Sequence, residues 1–318
     1  MHGQIHFLGP QRPTPNLSQV LATLDGHGPV VAITAGWRHD EGETAALREV
    51  VGDRLVELPL YRWFEELERS ELSRAWHRQQ QRILGVKDLH RIRLHGALDS
   101  TRRLLDAETT EEGALQPLLQ WAMDDVRRVD DQFLEQIAAI SAEHPECLAP
   151  WQQPTVRDRH REAADILASA DTILLAGGHV GVLRNRLFYF GLDRVLKAVR
   201  ARGTHLIAWG AGAMVLTERV VLFYDDPPDG PTYPELFGEG IGLVRGVVAL
   251  PHARRRLRLD DSRRVSLLAA RFAPAACIAL ESGGWLDRQG GTLVNRGEPG
   301  TVQRLNRDGT VMPVGEGQ

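Results

Sequence analysis

His205-Leu206-Ile207-Ala208-Trp209-Gly210-Ala211-Gly212-Ala213-Met214-Val215-Leu216-Thr217 decides the fold. The first five residues read as a buried strand, the next four are small, and Met214 to Thr217 opens a helix. A strand that bends abruptly into a helix presents the residue at the bend on the C-terminal edge of its sheet. Small neighbours allow the strained backbone such a bend needs, and the amides at the helix start face the same point. The residue at this bend is Gly210. Without a side chain it cannot attack a carbonyl.

Outward from this stretch the chain keeps a strand–helix rhythm. Pro29-Val30-Val31-Ala32-Ile33-Thr34 is a short apolar run ending at Ala35-Gly36, and Thr172-Ile173-Leu174-Leu175-Ala176 is another, ending at Gly177-Gly178-His179. Helical stretches at Glu41 to Val51 and Phe190 to Arg200 separate further strands near Arg54 to Leu58, Gly246 to Leu250 and Cys277 to Leu280. Short apolar runs alternating with helices predict an α/β fold with a mostly parallel sheet. The tail, with its Gly turns, predicts a C-terminal β-hairpin.

Between about Trp63 and His144 strand signals vanish. Leu115, Leu118, Leu119, Ala122, Val126, Val129, Phe133, Ile137 and Ile140 step by three and four, as on one face of a helix. A less regular stripe runs through Leu72, Trp76, Ile83, Val86, Leu94 and Leu98. The division is therefore 1–62 as the first part of the α/β domain, 63–150 as a helical insertion and linker, and 151–318 as the rest. The insertion is expected to be structural, as a homodimer surface or a lid.

Ala208 to Ala213 resembles the Gly-x-Ser-Ala-Gly-Ala elbow of the dipeptidase E and cyanophycinase type of serine peptidase, within the class I glutamine-amidotransferase-like superfamily. Gly210 takes the serine slot. Three more segments resemble that family in order: Ala176-Gly177-Gly178-His179 its Gly-Gly oxyanion loop, Leu250-Pro251-His252 the segment bearing its histidine, and Ile278 to Trp285 the strand bearing an acid. The resemblance implies a three-layer sheet with helices on both faces, and segments that converge on the rim of a single sheet. It implies His252 as the imidazole, with Glu281 or Asp225 orienting it. Gly178 and Ala211 become the oxyanion amides, and His179, Ser282 and Arg254 the pocket. A one-residue shift on the strand would exchange Glu281 for Ser282.

The net charge of −4 and pI near 6.3 give no basic footprint for nucleic acid. No apolar run is long enough to span a bilayer. The start, Met1-His2-Gly3-Gln4-Ile5, shows no signal peptide, so a cytoplasmic setting is expected. Cys147 and Cys277 lack metal-site spacing, as do His179, His205 and His252, and no dinucleotide or Walker pattern occurs. No metal and no cofactor are expected. Arg254-Arg255-Arg256-Leu257-Arg258 is read as a solvated face balanced by Asp260 and Asp261, with one arginine turned inward to meet a carboxylate.

Three functions compete. A peptidase-like scaffold without its nucleophile would bind or regulate, taking a small acidic peptide or amino-acid-like ligand. A working hydrolase of acidic or isopeptide-linked peptides would need serine as the natural residue 210, or another nucleophile such as Ser282, Thr217 or a water held by His252. An interaction protein would use the helical insertion.

Overall fold

A computed structural model describes residues 3–108, 111–223, 233–289 and 292–315. The strands run in chain order β1 (Ile5–Leu8), β2 (Val30–Ile33), β3 (Leu55–Glu57), β4 (Thr172–Leu175), β5 (His205–Trp209), β6 (Arg219–Leu222), β7 (Glu235–Glu239), β8 (Val247–Pro251), β9 (Ala276–Leu280), β10 (Trp285–Gln289), β11 (Thr292–Asn295), β12 (Val302–Leu305) and β13 (Val311–Pro313). Seven of them form the main sheet in the order β11-β10-β1-β5-β4-β2-β3. β1, β5, β4, β2 and β3 are parallel, while β10 and β11 continue the edge antiparallel.

The parallel strands are buried on both faces, which is why they read as unbroken apolar runs. Alternate residues feed two cores. Phe7, Val31, Ile33, Ile173, Leu175, Leu206 and Ala208 pack with Trp63, Phe64, Leu167, Leu187 and Leu196 from helices on one face. Leu8, Val30, Ala32, Leu174, Ile207 and Trp209 pack with Leu17, Val20, Leu47 and Val51 on the other. The expected three layers follow from this alternation.

One expectation needs correction. β8 and β9, expected in the same sheet as the elbow strand, pair in parallel with each other in a second sheet ordered β13-β12-β9-β8. The reason is occupancy. β5 already has β4 on one side and β1 on the other. β1 went unread because Ile5-His6-Phe7-Leu8 is four residues long, carries a histidine and runs straight into Gly9-Pro10. His6 is accommodated in the sheet by Asp287, whose Oδ1 lies 2.5 Å from its Nδ1 and also accepts Trp285 Nε1 at 2.7 Å.

The insertion is a hairpin of two long antiparallel helices, Glu71–Leu105 and Glu112–Ala142. Ser70 caps the first, accepting the Ser73 amide at 3.1 Å. Leu94, Leu98, Met123, Val126 and Val129 form its core and reach Leu267 of the α/β domain. Beside them lies a charge cluster that the apolar stripe does not announce. Asp130 is fully buried and accepts Arg271 Nε and Nη2 at 2.6 Å each, while Arg271 Nη1 donates to the Pro234 carbonyl. Lys87 and Arg91 both meet Glu235 at the base of β7. This buried fork pins the hairpin to the helix Ser262–Phe272. No helix among the described residues is long and apolar enough to cross a membrane.

Candidate active site

Three neighbouring parallel strands, β2, β4 and β5, end side by side. Ile33 pairs with Leu175, and Leu175 with Ala208. The residues just beyond them, Gly36, Gly177 and Gly210, therefore meet at the same edge. The His179 amide donates to the Gly36 carbonyl at 2.7 Å, stitching the first two loops together. Gly178, at φ +117°, lies so close to Gly36 that an added Cβ would fall 2.5 Å from the Gly36 oxygen. Only glycine fits there.

Gly210 is the elbow. Its φ of +55° and ψ of −123° lie in a region that L side chains rarely adopt, and it leads directly into the helix Ala211–Leu216. The Met214 amide donates to the Gly210 carbonyl at 3.2 Å, so the helix begins at the bend. The amides of Gly178 and Ala211 have no acceptor among the described residues. They stand on the two loops that meet at Gly177 and Gly210. Neither amide is used by the fold among these bonds, and residue 210 carries no hydroxyl.

The elbow helix packs against β8, and Met214 shares a core with Val248, Leu250 and Ala253. His252 follows β8 in a left-handed conformation, φ 58° and ψ 33°. Its amide donates to the Leu280 carbonyl at 3.0 Å, and Glu281 Oε1 accepts the Arg254 amide at 2.7 Å. Glu281 thus fastens the turn that carries His252. No hydrogen bond joins its carboxylate to the imidazole among the described residues. Burial raises the Glu281 pKa, opposed by the Arg254 amide. Burial also lowers that of His252, helped by Arg256 and Arg255. His179 is lowered by burial and then by Arg38. Its Nδ1 accepts the Val182 amide at 3.2 Å, capping the helix Val180–Tyr189, and its exposed ring stands on the rim.

Other expected site residues are engaged elsewhere. The Ser282 hydroxyl donates to the Pro10 carbonyl at 2.9 Å and accepts the Thr14 amide at 2.9 Å, tying the N-terminal loop down. Thr217 is buried, and its hydroxyl donates to the Met214 carbonyl at 2.7 Å. Arg254 turns to the Gly300 carbonyl at 2.8 Å. Asp225 lies outside the described residues. Burial pushes the Cys147 thiol up to about 11 and the Cys277 thiol up to about 12. Among the described residues no cluster of three or more His, Cys, Asp or Glu is placed to hold a metal.

Sequence reasoning missed Arg38. It sits beyond β2 with φ 61° and ψ −121°, within a few degrees of Gly210. No residue type announces this, because the strain is imposed by the loop's tertiary hydrogen bonds.

Residues 131–295, more than half of the chain, match the sequence profile of peptidase family S51. The chain belongs to that family. It is a peptidase-like protein with an S51 fold, and the match begins inside the second insertion helix, leaving the first outside. Among solved structures, a peptidase from an acI-B1 actinobacterium is similar, with a TM-score of 0.52 and 14% identity over 100% of this chain and 96% of the other. A putative peptidase E protein from Listeria monocytogenes EGD-e has a TM-score of 0.45 and 10% identity, over 94% of this chain and 100% of that one. No curated protein matches the sequence.

Proposed function

We propose that this S51-family chain binds a small acidic peptide or amino-acid-like ligand in the cleft at Gly210 and does not cleave it. One observation carries the reading. The elbow backbone is kept at φ 55° and ψ −123°, the Gly178 and Ala211 amides have no acceptor among the described residues, and residue 210 has no hydroxyl. The hydroxyls of Ser282 and Thr217 are bonded to backbone groups, and both thiols are buried. The acidic ligand class follows from the family resemblance. It is supported by Arg38, whose charge reaches His179 beside Gly178 and favours an anion there. The test is an assay of aspartyl dipeptide and isopeptide hydrolysis by the purified chain, alongside calorimetric binding of the same peptides. Binding without turnover is expected, and enzyme-like turnover would refute the reading.

A second reading is favoured by the outer face of the insertion. Leu89 is 66% exposed, Ile92 71% and Trp121 64%. Three large apolar side chains exposed on one hairpin would suit a contact surface, and a second copy of the chain is the partner to test first. Light scattering on the parent and on Ile92→Glu would distinguish a dimer through this face from a monomer.

A further inference from the structure

Among the described residues Arg38 is the one non-glycine residue with the elbow's backbone. Among the described residues only Arg38 and His252 combine a side chain with positive φ, and only Arg38 also has ψ near −120°. That conformation is costly for any residue with a Cβ, and it persists where surrounding bonds over-determine it. Here the Trp37 amide donates to the Thr34 carbonyl at 2.8 Å and the Glu41 amide to the Arg38 carbonyl at 3.0 Å. The Thr34 hydroxyl closes the loop on the Glu41 carbonyl at 2.9 Å. Glu41 in turn accepts the amides of Tyr61 and Arg62 at 2.7 and 3.0 Å. A folded chain has no structural use for arginine at such a point, since glycine would satisfy every one of these bonds.

The side chain has not been recruited to the fold either. Arg38 is exposed, and its guanidinium makes no ion pair or hydrogen bond among the described residues. Its loop nonetheless packs on the Gly178 loop. Trp37, the residue before it, lies 3.1 Å from the point a Cβ on Gly178 would occupy, and Gly36 accepts the His179 amide. Its charge also reaches the His179 ring. Glu65 is committed to Arg186 at 3.4 Å and Glu41 to the two amides.

We infer that Arg38 is the specificity anchor of this edge, a guanidinium carried on a fixed backbone that takes the side-chain carboxylate of an acidic ligand lying across Gly178 and Gly210. This rests on the reading of the cleft as a binder of acidic peptides. A planar fork matches a carboxylate with two parallel N–H donors, which an amide in its place cannot accept equally. The strained loop fixes the backbone from which the fork extends, so less backbone ordering is left to the moment of binding.

The experiment is calorimetry with two probes, the dipeptides aspartyl-leucine and asparaginyl-leucine, on the parent chain, Arg38→Lys and Arg38→Gly. The parent is expected to bind the aspartyl peptide at least about tenfold tighter, the ratio that one charge-assisted contact supplies. Arg38→Gly should bring the two affinities together, and Arg38→Lys should fall between. Glycine adopts positive φ freely, so Arg38→Gly should melt no lower than the parent. An undiminished preference for aspartyl in Arg38→Gly would overturn the assignment and leave the cleft reading standing. No binding of either dipeptide by the parent would overturn both. A large drop in melting temperature for Arg38→Gly would show that the side chain serves the fold, and would also sink the idea.

Discussion

Gly210 stands directly against Gly177. A Cβ added at residue 210 would meet the Gly177 Cα at 3.1 Å and, outside its chain neighbours, no other heavy atom of the described residues within 4 Å. The elbow has room for a side chain, provided Gly177 yields slightly. What opposes one is the backbone, at φ +55°.

Gly210→Ser should therefore fold, at a cost of about 1 to 3 kcal/mol from the strained conformation. Urea denaturation measures that cost. If the cleft descends from a hydrolase and His252 still reaches it, the new hydroxyl should confer slow hydrolysis of aspartyl dipeptides on a chain that lacked it. A variant that is folded, binds the peptide and stays inert would place His252 out of reach.

His252 should titrate below the ordinary imidazole value of about 6.5, because burial, Arg256 and Arg255 all disfavour its charged form. The ring is then neutral at pH 7 and can accept a proton. The sign for stability follows: the folded state resists protonation, so the stabilising contribution is complete above the unfolded pKa and is lost as pH falls through the folded one. An NMR titration of the imidazole, assigned with His252→Gln, gives the midpoint directly. A midpoint above 6.5 would contradict this environment.

The buried fork between Asp130 and Arg271 should be among the most sensitive points in the molecule. Arg271→Leu leaves a buried carboxylate uncompensated and should cost about 3 to 5 kcal/mol. Combining it with Asp130→Leu should recover much of that loss, since no lone charge is left behind. Burial by itself would raise the Asp130 pKa, but Arg271 and His90 outweigh it and hold it below the usual value. The fork's contribution is thus present above the unfolded carboxylate's pKa and is lost as pH falls through the lower folded value. Acid unfolding curves of the parent and the double variant should diverge in that window, and coincident curves would count against it.

Neither cysteine should react with iodoacetamide in the native state at pH 8. Cys147 and Cys277 are buried, and their thiols stay protonated until about 11 and about 12. Labelling is expected only after denaturation, checked by mass spectrometry. Rapid native labelling of either residue would reopen a thiol-based chemistry.

Much of the fold was legible because its signals are local. The runs at Val30, Thr172 and His205 are apolar on both faces, as strands covered on two sides must be, and the small residues from Gly210 to Ala213 announce a tight bend. The insertion's helices were legible from their three-and-four spacing. Their seam was not fully so. Lys87, His90 and Asp130 are buried there, while Leu118 and Trp121, on the stripe's own helix, are exposed. Charged residues read as solvated until a partner from a distant segment, here Glu235 or Arg271, takes them out of water.

The site divided along the same line. The order of the elbow, the Gly-Gly loop and the histidine segment, and the absence of a hydroxyl at 210, belong to the sequence alone, because residue type and spacing fix what a bend can present. Which sheet carries His252, that Glu281 holds its turn while Ser282 faces Pro10 and Thr14, and that Arg38 repeats the backbone of Gly210, were decided only in three dimensions. The physical reason is that strand pairing, hydrogen-bond partners and positive φ are set by segments hundreds of residues apart competing for the same neighbours, and no single stretch of chain records the outcome of that competition.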